Sequence, residues 1–191
     1  TDTEAAKESV SGCVQSILRS PDAMLWMSRI REQHAYTTEH SLNVCVLSIA
    51  FGRYLGMNEE ELNQIGLCGL LHDVGKMQIP PEILNKPREL NEDEWAVMQK
   101  HATYGRDLLM STPGLLSGAI DVAYSHRERV GGGGYPRRLK SAAIPHYAKI
   151  IAIVDAYDAM TADRCYSRAM SSTDALKILY EEKDKHFDGH L

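Results

Sequence analysis

The stretch HYAKIIAIVDAYDAM, residues 146–160, sets an aspartate, Asp155, in an apolar run that begins directly after a proline. A proline in that position opens helices, because its missing N–H is one the first turn leaves unpaired anyway. KIIAIV alone reads equally as a strand, but its continuation through Ala-Tyr-Asp-Ala-Met and the helical character of the rest of the chain make it a buried helix. Burying an unpaired carboxylate costs several kcal/mol. The fold must therefore bring Asp155 a cation, a proton or a strong donor. Asp158, three residues on, either supports a ligand from behind or stands on the helix surface.

The remaining sequence predicts helix after helix, hence an all-α bundle. Two short helices are expected over 3–18 and 22–33, split at Ser20-Pro21, and a third from a Thr38 cap to Leu55, stopped by Gly56. Asn58 with Glu61, and Asn91 with Glu94, each read as a capping box, the second opening one helix through EWAVMQKHATYGRDLLM. On the first of these helices Leu62, Ile65, Gly69 and Leu70 share one face. IPPEILNKPREL reads as a connecting loop, with further helices expected over Leu115–Arg127 and from near Ser172. Lead-in helices over 1–33 are expected to pack on one domain over 34–191, and a start at Thr1 reads as a piece of a longer protein.

Composition excludes several classes. A net charge of −5 argues against a track for polymeric nucleic acid, while leaving room for a small anion in a local cationic pocket. No run approaches the roughly 18 apolar residues of a membrane helix, and no basic, apolar leader opens the chain, so no membrane contact and a cytoplasmic location are expected. Four separated cysteines, Cys13, Cys45, Cys68 and Cys165, suit free thiols.

HDVGK, His72 to Lys76, closes an apolar helix. Neighbouring helix residues stand about 100° apart, so His72 and Asp73 can converge on one ion. A lone pair of this kind is more often a cap or a salt bridge. Here it has company, one candidate ligand to a helix: His40, His101, His126 and Asp155. Bundles place metals between facing helices with such ligands. His34, His146, His186 and His190 lie in polar or terminal contexts and read as surface or hydrogen-bonded core residues.

Taken in order, HSLNV, HDVGK, MQKH, HRE, GYP and IVDAYDAMTADRCY resemble the HD-GYP subgroup of the HD phosphohydrolase superfamily, from about residue 35 to 187. The resemblance implies an HD-type helical bundle around two or three divalent ions, iron or manganese, and the substrate cyclic di-GMP, opened to linear pGpG and in some members cut on to GMP. Carried over by residue, His40, His72, Asp73 and Asp155 would hold one ion, with Asp73 bridging to a second held by His101 and His126. Asp73 and Lys76 would be catalytic, with Lys76 on the scissile phosphate or assisting protonation. Arg164 would hold a phosphate, and Tyr135 and Pro136 would meet the substrate or a GGDEF-domain partner.

The chain departs from that pattern. Arg127 stands where the family usually has a second histidine, and Gly131 where it has an aspartate. Arginine offers no lone pair to a metal. Pointing inward, Arg127 would compete with the second cation; pointing outward, it would leave that site to His101, His126, Asp73 and water. Tyr36 replaces the glutamate that three-metal members carry, so at most two ions are expected. The glycines at 131–134 could fold the loop over a ligand or merely end a helix flexibly. The rival reading is a non-catalytic module that binds cyclic di-GMP or a GGDEF partner. A hydrolase for another nucleotide is disfavoured by GYP and DRCY together.

Overall fold

The computed structural model describes residues 35–112, 117–162 and 169–191, together with Leu25, Ser28, Arg31 and Glu32. Those four are helical and exposed; the rest of the expected lead-in helices lies outside the described residues, as do Arg164, Cys13 and Cys165. The described chain forms helices α1 (Ala35–Tyr54), α2 (Glu59–Leu71), α3 (Pro81–Leu84), α4 (Glu92–Gln99), α5 (His101–Met110), α6 (Ser117–Ser125), α7 (His146–Thr161) and α8 (Ser172–Glu181). Short 3-10 turns occupy Val74–Gln78 and Ser141–Ala143, and no strand is formed among the described residues. The fold is all-α.

Local chemistry accounts for most of the boundaries. Both capping boxes are complete: the Asn58 side chain accepts from Glu61 N and the Asn91 side chain from Glu94 N, while each glutamate reaches back to its cap. Gly56 takes a positive φ of 85° just past α1. Pro145 precedes α7, and α8 begins at Ser172, as expected, with Ser171 as its cap. Three expectations are corrected. Thr38 lies inside α1, which already runs from Ala35, so it caps nothing. The helix expected from Glu94 onward breaks at Lys100, leaving His101 to begin α5. The proline-rich connection contains the single turn α3, opened by Pro81 at its first position.

α1 packs on α2 and α7, α6 on α2, α5 and α7, and α8 on α7. Val44, Ile65, Leu71, Val122, Ile150 and Ile151 are fully buried at their meeting. The turn after His72-Asp73 lies flat against the start of α5, because a Cβ on Gly75 would overlap the His101 carbonyl. That close approach carries Asp73 to His101. Cys45 and Cys68 are buried. Among the described residues no helix is long and apolar enough to cross a membrane.

Candidate metal centre

Six buried side chains from five segments meet at one point: His40 from α1, His72 and Asp73 at the end of α2, His101 at the start of α5, His126 just past α6, and Asp155 on α7. Their donor atoms form two sets, His40, His72, Asp73 and Asp155 in one and Asp73, His101 and His126 in the other. Asp73 belongs to both, and its oxygens divide between them. Oδ2 lies 3.2 Å from His72 Nε2 and 4.0 Å from His40 Nε2, while Oδ1 lies 3.3 Å from His126 Nε2 and 3.6 Å from His101 Nε2. Asp155 Oδ1 completes the first set at 2.5 Å from His40 Nε2 and 3.5 Å from His72 Nε2.

Each imidazole is aimed from behind. His72 Nδ1 donates to the Gly69 carbonyl at 2.5 Å, His101 Nδ1 to Met98 at 2.7 Å, and His126 Nδ1 to Ala123 at 3.1 Å. His40 Nδ1 donates to Asp158 at 2.6 Å. With Nδ1 donating outward, every Nε2 is turned toward the centre, an outer support that suits histidines placed to hold a metal. Asp158 is therefore buried behind His40 and not on the helix surface. Its spacing from Asp155 was the only sign of this in the sequence.

The donor set fits a cation. His72 Nε2 and both Asp73 oxygens are buried with no hydrogen-bond partner, a cost that folded proteins rarely leave standing. Burial disfavours ionised Asp73, but the charges of His72 and Lys76 hold its carboxyl well below the usual carboxylate range. For Asp155 burial is likewise outweighed, by Arg127 and the two histidines. Burial also opposes the His72 imidazolium, yet Asp73 and Asp155 raise its pKa to about 10, and His40 moves up through Asp155 and Asp158. Burial lowers His101 and His126, which stay neutral and ready to ligate. Ionised carboxylates beside imidazoles, with no sulfur, suit a divalent ion of intermediate softness.

Arg127 points inward. Its Nε is buried without a hydrogen bond, 3.8 Å from Asp155 Oδ2, although the side chain is 38% exposed. Lys76 Nζ stands 3.2 Å from Asp73 Oδ2. Both cations, with His101, His126, Asp155 and Tyr135, line an open cavity of about 890 Å³. Tyr135 is edge-on to His101, with ring centroids 6.0 Å apart, and Pro136, joined to it by a cis peptide bond, does not line the cavity. Tyr36 stacks on His40 at 5.7 Å.

The glycine loop is tied down. Gly131 N donates to Lys185 O at 2.8 Å and Tyr135 N to Arg127 O at 3.2 Å. A Cβ on Gly134 would overlap the Arg127 carbonyl, so glycine here permits contact with the chain just before it. Glu128, 2% exposed, accepts from Arg137 N at 2.7 Å and Leu139 N at 2.9 Å, clamping the loop's return. Val130 N donates to His186 O at 3.3 Å, and His186, read from the sequence as a surface or hydrogen-bonded histidine, lines the cavity. Its long separation from the other histidines in sequence concealed that.

The HD domain family matches residues 24–191. Over 187 residues the chain is 37% identical to cyclic di-GMP phosphodiesterase PA4108 of Pseudomonas aeruginosa, an alignment spanning 98% of this chain and 45% of that protein. It is 39% identical over 160 residues to 3'3'-cGAMP-specific phosphodiesterase 1 of Vibrio cholerae, covering 84% and 37% respectively. The fold is similar to that of Bd1817, an HDG"Y"P protein from Bdellovibrio bacteriovorus, with a TM-score of 0.69 at 20% identity over 99% of this chain and 59% of that one. The chain thus spans less than half the length of the two curated relatives. With a match over most of its length and a buried cluster of histidines and aspartates able to hold divalent metal, the chain belongs to the HD domain family.

Proposed function

We propose that this domain is a metal-dependent phosphodiesterase that opens cyclic di-GMP to linear pGpG inside a bacterial cell. The observation that carries the reading is Asp73, one carboxylate shared by two sets of histidine donors at the edge of an open cavity with cationic walls. Two ions, iron or manganese, are held by His40, His72, Asp73 and Asp155 on one side and by Asp73, His101 and His126 on the other. Bound there, such a pair lowers the pKa of a shared water and offsets charge on the phosphoryl oxygens.

The chain's own groups do the rest. Nδ1 anchors hold the imidazoles in position, so little reorganisation accompanies binding. Lys76 brings an ammonium to the cavity beside Asp73, placed to neutralise the phosphate and to protonate the departing ribose oxygen. By its match to the family's motif Arg164 is assigned to a phosphate, and Tyr135, which lines the cavity, bounds the substrate. Arg127 keeps Asp155 ionised and adds positive charge, which weakens the second ion and lowers turnover. A GGDEF-domain partner docks on the outer rim of the loop, where residues 137, 138 and 140 are exposed.

Two other readings have observations behind them. The relative named for 3'3'-cGAMP favours that dinucleotide as substrate, and the inward Arg127 favours a module that binds without cutting. Incubating manganese-loaded protein with each cyclic dinucleotide and identifying products by mass spectrometry separates the three. Linear pGpG from cyclic di-GMP supports the proposal. Cleavage confined to 3'3'-cGAMP, or saturable binding without product, overturns it.

A further inference from the structure

The cavity beside the metal centre changes character along its length. One side carries Lys76, Arg127 and Asp155; the other carries the apolar Trp95, Met98, Leu90 and Ile83 interspersed with Lys86, Arg88 and Glu89. Aromatic rings step from one to the other: Tyr135 stands edge-on to His101, and Trp95 edge-on to Tyr135 at 5.9 Å and 86°. A ligand that fits both walls joins an anionic group to a flat apolar one.

Trp95 is 44% exposed, although it lines this cavity. Its backbone is fixed by the first turn of α4, where Trp95 N donates to Asn91 O at 2.8 Å and the capping box closes at Glu94. Lys86 pairs with Glu94 at 2.5 Å, tying the preceding connection to the same turn. The ring is thus held on a braced element with a large part of its surface open. The indole therefore presents open ring surface to the cavity from a braced, pre-formed position.

We propose that Trp95 is the stacking platform for a nucleobase of the substrate whose phosphate is bound at the histidine and aspartate cluster. This rests on the phosphodiesterase reading above and adds the residue that takes the base. An indole face accepts any nucleobase, because stacking uses the π surface that all bases share. Trp95 therefore supplies affinity without distinguishing guanine from adenine.

The test uses emission from Trp95 in a Trp26→Phe background, with GMP as probe and ribose 5-phosphate as the control without a base. Saturable quenching by GMP but not by ribose 5-phosphate, with and without manganese, is expected, and is lost in Trp95→Leu. Trp95→Leu also raises KM about tenfold or more for cyclic di-GMP and 3'3'-cGAMP alike, with kcat within about threefold, while Trp95→Phe keeps most of the affinity. Unchanged KM in Trp95→Leu, or equal quenching by ribose 5-phosphate, overturns the assignment. Base-dependent quenching in a protein that cuts neither dinucleotide retains the platform and removes the phosphodiesterase reading, so the two failures are distinguishable.

Discussion

Arg127 Nε lies 3.8 Å from Asp155 Oδ2, so a permanent cation faces the carboxylate whose place in an apolar helix demanded one. The contact is made to the oxygen turned away from His40 and His72, which meet Oδ1. Arg127 therefore adds charge beside the first set of donors without replacing any of them. The second set, Asp73 Oδ1, His101 and His126, still converges, though it lies within the field of the same guanidinium.

Asp158 acts through His40. Removing its carboxylate in Asp158→Ala leaves the His40 Nδ1 proton without its acceptor and frees the ring to turn. Metal affinity is expected to fall about 10- to 100-fold, with helix content retained by circular dichroism. Equal affinity in wild type and variant, measured by chelator competition, would contradict this role.

Metal uptake releases protons. In the metal-free site burial is overcome by Asp73 and Asp155 at His72, whose pKa rises to about 10, and His40 is raised as well. At pH 7 His72 carries a proton that an ion must displace, and the upward shift of His40 acts in the same sense, so affinity rises with pH. Titration calorimetry in buffers of different ionisation enthalpy should show heats that depend on the buffer. The same shift stabilises the metal-free fold: that contribution is complete below the ordinary value of 6.5 and is lost as pH climbs through about 10. Asp73 and Asp155, held low, contribute in the opposite sense and lose their share in strong acid. Heats independent of buffer would contradict the account.

The loop return hangs on Glu128. Glu128→Ala removes the acceptor from two backbone N–H groups at 2.7 and 2.9 Å. Hydrogen bonds to a buried charge are worth roughly 1.5 to 3 kcal/mol each, so a loss of about 2 kcal/mol or more is expected in denaturant unfolding. Glu128→Gln, keeping one acceptor oxygen, should lose less. Equal stability of all three proteins would show that the clamp does not hold the loop.

The sequence made the helical class and the members of the buried cluster legible because they sit at readable places: His72-Asp73 at the end of an apolar helix, Asp155 inside another. Both asparagine caps were legible for the same reason, since capping is local chemistry. Long-range placement was not. The inward aim of Arg127, the burial of Asp158 behind His40 and the return of His186 to the cavity depend on how helices pack. The four glycines suggested slack, but their neighbours at Lys185 and Glu128 are set by tertiary contacts that residue type alone does not reveal.

The proposed phosphodiester chemistry requires a pair of ions beside an inward arginine. The most direct measurement joins metal analysis of anaerobically purified protein to cyclic di-GMP turnover in iron or manganese, for wild type and Arg127→His. Two ions are expected in the wild type, the second held more weakly, with measurable turnover that Arg127→His increases. One ion or none and no turnover in either protein would contradict the proposal.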